Sequence, residues 1–569
     1  MRTAREMGLH TIAVYSEADR DAIHVRYADD AYLLGPSAPS QSYLNVEKLL
    51  DVARRAGADA LHPGYGFLAE NAGFARTVIA AGLTWVGPHP AAIDAMGDKI
   101  RSRQAMVAAG VPVVPGGTEP VESIAQAEAA AREYGLPIAI KASGGGGGKG
   151  LKIARTLAEI PSAFSTSRRE AEAYFKNPTI YVERYLDNPK HVELQILADK
   201  HGNVVHVGER DCSLQRRHQK LFEETPAQIS ERVRANLREA GVRAAQAIGY
   251  DSVGTIETLV AGDEFFFLEM NTRIQVEHTI SEMVSGLDLI REQIRVAAGE
   301  PLGYGQDAIQ LRGHAIEVRV NAEDPAENFA PAPGTLTSYQ EPAGLGIRVD
   351  SAAALGSQIA PDYDSMIAKL IVWAPDRAQA FARLRRAIDD YKIAGVPTTL
   401  EFSRALSYAP AVAGGTFGTA TLEAFAETYR PQVPILGASE AALQAPAASD
   451  VVRVEVNNKL FFVRVLDKQT PATGTVRSTA RAPLIPKRRR NGKLKGSADG
   501  NAIVAPMHGL VVAVLVEPGK EVAEGEVVAV IEAMKMMNEI RAHRAGEIAQ
   551  VHVKPGTTVE SDTTLVSLA

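Results

Sequence analysis

The sequence predicts a multidomain protein of mixed α/β and α+β class that closes with a small all-β domain. Three observations carry this reading: short apolar runs alternate with amphipathic helical patterns over residues 1–86, strand-like segments flank a run of five glycines in the middle, and residues 501–569 repeat themselves with a period of 37. At 569 residues the chain holds several units, since one domain spans roughly 100–200 residues. Apolar residues make up 46% and the net charge is -7, a balance that suits a globular enzyme and excludes nucleic acid as a partner. Cys212 is the single cysteine, which rules out an internal disulfide, points to a reducing cytoplasm and reads most simply as a small buried hydrophobe. No apolar stretch approaches the 18 or so residues of a membrane span, so no membrane partner is expected.

In residues 1–86, HTIAVYS, ADALHPG and LTWVG alternate with YLNVEKLLDVARRAG and AGFARTVIAAG, the rhythm of a doubly wound layer. Residues 87–318 form a second unit. Its insert at about 113–185, containing PIAIKAS, the glycines and TIYVERYL, has the composition of a mobile lid. HVELQILAD, VVHVGERD, GTIETLV and EFFFLEMN follow as strands, and GHAIEVRV, GIRVD and MIAKLIVWA continue them into a third unit at 319–428, together one large mixed sheet. Residues 429–500 thin into Ala, Pro and Thr around one strand pair (VVRVEV, KLFFVRV) and a basic run at Lys487–Arg490, the pattern of a solvated linker.

In the last unit Gly509, Val514, Val516, Pro518, Gly519 and Val522 recur 37 positions later as Gly546, Val551, Val553, Pro555, Gly556 and Val559. Two such halves bury a core that neither buries alone, and their junction holds Glu532-Ala533-Met534-Lys535-Met536 at a predicted hairpin tip. A lysine amine there is open to acylation by an enzyme that grips the turn. Met is by itself more often core filler; the surrounding repeat favours the functional reading.

The glycines between Lys141 and Lys149 leave backbone amides free to close over phosphate oxygens. Five glycines also suit a linker, but the flanking strands argue against one, and no Ser or Thr follows Lys149 as in a Walker-type loop. Further on, Glu269 and Asn271 sit two apart in a strand and share a face, with Glu257 nearby in GTIETLV. Oxygen ligands of this kind suit magnesium, beside phosphates in particular. The odd-numbered series then runs through Arg273, Gln275 and Glu277, which extended alternation would bring close to the same metal.

Two sets of motifs carry a family resemblance. EAMKM within the repeat resembles the biotinyl domain of biotin-dependent carboxylases, a flattened all-β barrel related to lipoyl domains, in which the lysine matching Lys535 bears biotin. HPGYGFLAEN, MGDK, KASGGGGGKG, ERDCSLQRRHQK, EMNTRIQVEH and EVRVNAEDP resemble the ATP-grasp enzymes of the biotin carboxylase family over nearly all of residues 1–427. The implied architecture is an N-terminal doubly wound subdomain, an ATP-grasp central domain and a C-terminal mixed-sheet domain. The strand and turn that family members carry ahead of the first helix have no counterpart, so a gap is expected in the first parallel sheet.

By this resemblance Lys99, Lys141, His218 and Lys220 meet ATP phosphates or the anionic substrate. The glycines Gly146, Gly147 and Gly148 cover the nucleotide, and Glu183, Leu186 and His191 line its pocket. Glu257, Glu269 and Asn271 hold magnesium, with manganese as an alternative, and Arg273, Gln275, Val276, Glu277 and Arg319 hold bicarbonate and biotin. The implied function is ATP-dependent carboxylation of biotin, supplying carboxybiotin to a separate carboxyltransferase β subunit, most closely as in bacterial acetyl- or propionyl-CoA carboxylase α chains of fatty acid synthesis. A biotin protein ligase and a homo- or hetero-oligomeric assembly are implied partners. Mass spectrometry of protein made alongside a competent biotin ligase should find biotin on Lys535; an unmodified Lys535 amine would contradict the reading.

Overall fold

The computed structural model describes residues 1–117, 119–142, 151–175, 178–216, 219–431, 451–456, 459–464, 501–506, 509–533, 536–559 and 562–569. Near the N-terminus Ile12–Ser16 pairs in parallel with Asp30–Gly35, and Ala60–Leu61 in parallel with Thr84–Trp85, as two separate pairs. Helices Val46–Ala56 and Ala72–Ala80 start at Asn45 and Asn71, whose side chains accept from the amides of Lys48 and Phe74 and so satisfy N–H groups the first turn leaves free. Phe74, Ala75, Val78 and Trp85 form the local core. Glu70 lies one residue before the Asn71 cap, a fixed position at the edge of this layer.

In the insert, Ile138–Ala142 is the middle strand of a three-stranded antiparallel sheet, between Leu151–Ala154 and Ile180–Arg184. Its apolar residues Ile138, Ile140, Ile180 and Val182 pack under helices Ile124–Tyr134 and Ile160–Phe175.

The main feature is one eight-stranded sheet, in the order Glu264–Asn271, Val253–Ala261, Lys190–Ala198, Val204–Arg216, Gln219–Thr225, His314–Asn321, Met366–Ala374, Ile347–Ser351. Every neighbouring pair is antiparallel, where mixed directions were expected. The sheet runs without a break through residue 318, because His314–Asn321 pairs on one side with Gln219–Thr225 and on the other with Met366–Ala374. Residues alternate between its faces. Val192, Leu194, Ile196 and Ile256 point to helix Glu231–Ala247 and bury an apolar core there. Toward the far edge Val318, Leu370 and Val372 do the same against helix Arg377–Asp390. On the opposite face the short helix His278–Ser285 lies over the middle strands, with all but two of its eight residues buried.

The C-terminal unit is two four-stranded antiparallel sheets around Ile503, Val511, Val528, Ile531, Ile548, Leu565 and Val566. The repeat is visible in the pairing: Gly509–Val514 and Gly546–Val551 hold corresponding places in the two sheets. Each half lends its short strand to the other, since Glu521–Val522 pairs with Gly546–Val551 and Thr558–Val559 with Gly509–Val514. Gly519 and Gly556, 37 apart, both take φ of 87°, which a turn after proline requires and which residues with a Cβ rarely adopt. Strands Val527–Ala533 and Met536–Arg541 pair up to Ala533 opposite Met536, the hairpin the repeat predicts. Lys535 itself lies outside the described residues, as do Gly146, Gly147, Gly148, Lys149 and His218 and most of 429–500.

Candidate active site

Beneath helix His278–Ser285 the sheet carries polar side chains where an ordinary core would be apolar. Glu193 and Gln195 come from Lys190–Ala198, Arg210 from Val204–Arg216, Glu257 from Val253–Ala261, Glu317 and Arg319 from His314–Asn321, all by period-2 alternation on one face. Gln219–Thr225 adds Glu223 and also Lys220, of opposite parity; register irregularities on either side of Phe222 accompany the switch. Glu277 caps the helix at its N-terminus and closes the site from above.

Lys220 is the hub. Its Nζ donates to Glu193, to Glu257 Oε1 at 3.2 Å and to Glu277 Oε1 at 2.7 Å. Burial disfavours the ammonium, but these carboxylates hold it protonated well above the ordinary lysine range. Glu257 Oε1 also accepts from Asn271 Nδ2 at 2.7 Å and Gln275 Nε2 at 2.9 Å. His191 Nε2 stands 2.9 Å from Glu257 Oε2, off a hydrogen-bonding angle, while its Nδ1 lies 3.1 Å from the Gln215 amide. Burial works against a charged His191, and the Glu257 carboxylate outweighs it, raising the imidazole above its usual value.

The fully buried Arg210 ties the floor together: Nη1 donates to Gln195 at 2.6 Å and Ser281 at 3.0 Å, Nη2 to Gln275 at 2.6 Å and to Glu193 and Thr255 at 3.2 Å. Sequence reading missed Arg210, Glu193 and Gln195, although the alternate polar places in HVELQIL and the charged run in VGERD were the available signal.

Arg319 is held by two carboxylates, its Nε 2.9 Å from Glu223 Oε1 and its Nη2 2.9 Å from Glu277 Oε2. Burial pushes the Glu277 carboxyl up, yet Lys220, Arg319 and Arg210 together bring it well below the carboxylate range, so it is ionised. Burial pushes Glu223 up as well; Arg319 opposes this, but Glu317 and Glu277 add to it, and the carboxyl rises to about 8. At neutral pH Glu223 is therefore mainly a neutral acid. Burial likewise raises Glu193 and Glu317.

Of the expected residues, Lys220, Glu257, Asn271, Gln275, Glu277, Arg319 and His191 meet in this one site. Glu269 stands opposite Glu257 across the strand pair and is exposed. The expected alternation past Asn271 does not occur, because the strand ends there and residues 272–277 turn into the helix cap. Gln275 and Glu277 reach Glu257 and Lys220 by that turn, whereas Arg273 donates from Nη2 to Asn271 Oδ1 at 2.6 Å and from Nε to Glu70 at 2.9 Å. The Val276 carbonyl accepts from Lys369 at 2.5 Å. Lys141 and Glu183 form an ion pair on neighbouring strands of the insert, and Leu186 packs with Val114 and Phe266. His191 stands against Glu257 and Gln215, and among the described residues it forms no hydrogen bond or ion pair with Glu183. Gly116 lets the chain pass close to Glu183, since a Cβ there would meet the Glu183 Cβ at 2.6 Å. The backbone of Lys99 opens helix Lys99–Ala108. For a hard divalent cation the donors fit: Glu257 is kept ionised by Lys220 and His191 against its burial, and Glu269 and Asn271 offer further oxygens from the paired strand.

Comparison with known proteins shows the family. Residues 1–93 match the biotin carboxylase N-terminal domain, 98–304 the carbamoyl-phosphate synthase L chain ATP-binding domain, 317–424 the biotin carboxylase C-terminal domain, and 501–568 the biotin-requiring enzyme family. The biotin-dependent acyl-coenzyme A carboxylase alpha3 subunit of Mycobacterium leprae is 43% identical over 575 residues, covering 100% of this chain and 96% of the relative. Biotin carboxylase 1 of Bacillus subtilis is 48% identical over 75% of this chain and 95% of its own. Among solved structures, a biotin carboxylase–β,γ-ATP complex from Campylobacter jejuni is similar with a TM-score of 0.71 at 44% identity, covering 74% of this chain and 95% of that one. The biotin carboxylase domain dimer of Hydrogenobacter thermophilus 2-oxoglutarate carboxylase, with MgADP, ADP and bicarbonate, gives 0.70 at 45%, covering 76% and 95%. The chain belongs to the biotin-dependent carboxylases, as a biotin carboxylase joined to a biotin-carrying domain. It is an ATP-dependent ligase. No helix among the described residues is long and apolar enough to cross a membrane.

A pH dependence follows from Glu223. Its carboxyl moves from an ordinary 4.5 to about 8 on folding, so its contribution to stability is full below 4.5 and is lost as pH rises through about 8. Glu223→Gln has no proton to lose there. Urea melts should show the variant gaining on the native chain as pH rises from about 5 to about 8; a difference independent of pH would contradict the assignment.

Proposed function

We propose that the site beneath helix His278–Ser285 activates bicarbonate with ATP, and that Lys535 carries the biotin that collects the product. The reading is supported above all by one arrangement: an ionised Glu277 held between Lys220 and Arg319. Bicarbonate is a weak electrophile because its carbon bears delocalised negative charge, and phosphorylation supplies a leaving group. In this proposal Glu277 takes the bicarbonate proton as the bicarbonate oxygen attacks the γ-phosphorus and the bond to the ADP oxygen breaks. Lys220, with Lys99, Lys141 and His218, meets the phosphate or bicarbonate charge, and Arg273, Gln275 and Val276 hold bicarbonate and biotin. Gly146, Gly147 and Gly148 cover the nucleotide, whose base side is bounded by Glu183 and Leu186, with His191 turned to Glu257.

Magnesium held by Glu257, Glu269 and Asn271 supplies charge neutralisation on the triphosphate. Biotin held on Lys535 would supply a ureido nitrogen as acceptor for the CO2 that the mixed anhydride releases, and the proton given up by that nitrogen would pass to the phosphate released with it. Arg319 donates to the ureido oxygen as negative charge gathers there, an electrostatic role that burial strengthens. Residues 429–500 act as tether between the two units, so linker reach sets the local concentration of the carrier.

The lid spans about 113–185 and the units divide at 86, 428 and 500, while the residues on either side of 318 share one sheet and act as one body. A carboxyltransferase β subunit acting on acetyl-CoA or propionyl-CoA, and a biotin protein ligase, are the proposed partners. The acyl-CoA assignment is drawn from the full-length similarity to the Mycobacterium leprae subunit. A cytoplasmic compartment suits the single, buried Cys212. Glu277→Gln should lower bicarbonate-dependent ATP hydrolysis by about 10²- to 10⁴-fold while leaving ATP binding nearly intact. Retained turnover would remove Glu277 as the base.

A further inference from the structure

Arg319 is held along one edge only. Nε and Nη2, which share the side edge of the guanidinium, donate to different carboxyl groups, Glu223 and Glu277. No hydrogen bond from Nη1 is formed among the described residues, so the Nη1 end of the guanidinium is left to meet an oxygen ligand. The two anchors differ in kind. Glu277 is the group that takes a proton in the proposed first step, which weakens its hold on Nη2 just before Arg319 is needed. Glu223 Oε1 faces Nε whatever the state of Glu277.

We propose that Glu223 is a positioning residue for the second half-reaction: it fixes Arg319 through Nε so that the Nη1 end stays aimed at the ureido oxygen after Glu277 has been protonated. The inference rests on the assignment of Arg319 to that oxygen. Glu223 is fully buried, comes from the neighbouring strand, and stands in register with Glu317, two residues from Arg319 along its strand, so its backbone position is set by the sheet. Among the described residues its Oε2 has no hydrogen-bond partner, so the carboxyl is not shared with a competing donor there. A mainly neutral acid also suits the task, since it accepts from Nε without cancelling the guanidinium charge that the developing oxyanion requires.

The test uses the full biotinylated chain with labelled bicarbonate, following both ATP hydrolysis and label captured by the carrier. Glu223→Met, close in length and without an acceptor, should lower kcat for capture by about 10- to 100-fold while KM for ATP and for bicarbonate stays within about threefold. Glu223→Gln keeps an oxygen that accepts from Nε and should capture label within about threefold of the native rate. Arg319→Gln is the control for the underlying assignment and should lose capture outright, with Glu223→Met adding nothing on that background. If Arg319→Gln captures label normally, the assignment of Arg319 fails. If Arg319→Gln loses capture but Glu223→Met does not, or if Glu223→Gln falls as far as Glu223→Met, the role of Glu223 alone is overturned. Should Glu223→Met not fold, Glu223→Asp, which withdraws the carboxyl by one methylene, takes its place with the same expected split between kcat and KM.

Discussion

Lys220, Arg210 and Arg319 have to stay charged inside a sheet that gives them almost no water, and the rest of the site is arranged around that need. An unpaired buried cation costs several kcal/mol, and removing one partner of a buried pair costs about 3–5 kcal/mol. Hence each cation is met by more than one oxygen: Lys220 by three carboxylates, Arg210 by five acceptors, Arg319 by two carboxyl groups. Such a network is not the cheapest way to hold a fold together, because apolar residues of the same volume often do as well or better by about 1–4 kcal/mol. Its place beneath one short helix is explained by chemistry on anions.

The charge balance follows from the same burial. Glu257 and Glu277 remain ionised because cations touch them directly, whereas Glu223 rises to about 8 and Glu193 and Glu317 are pushed in the same direction. The sheet makes this arrangement rigid. Groups from Lys190–Ala198, Val204–Arg216, Gln219–Thr225, Val253–Ala261 and His314–Asn321 are fixed by backbone pairing, and helix His278–Ser285 pins them with Ser281 on Arg210 and Thr279 on Glu317. Because His314–Asn321 pairs on both sides, the half that supplies Arg319 and the half that supplies Lys220 form one body.

Much of this was legible in the residues. Period-2 runs such as GTIETLV and FLEMN marked their strands and set Glu257 near Glu269 and Asn271, and the 37-residue repeat marked the two halves of the last unit and the hairpin that brackets Lys535. Other features depend on contacts that local pattern does not encode. Glu193 and Gln195 sit in an otherwise apolar strand and pass for exceptions, while Arg210 lies in the run Glu209-Arg210-Asp211, where local pattern does not say which of the three turns into the site. Arg273 was expected to reach the site by alternation, but the chain turns after Asn271, and its guanidinium bridges Asn271 and Glu70, some two hundred residues earlier. The antiparallel course of the whole sheet was equally invisible, since strand direction is set by connections over the full length of the chain.

The most direct test of the account is ATP hydrolysis by the purified biotinylated chain, measured with and without bicarbonate and with and without magnesium. The site geometry predicts turnover only when both are present, because the phosphoryl group has no acceptor without the first and Glu257, Glu269 and Asn271 have no charge to lend the phosphates without the second. Hydrolysis that proceeds equally well in bicarbonate-free buffer would contradict it.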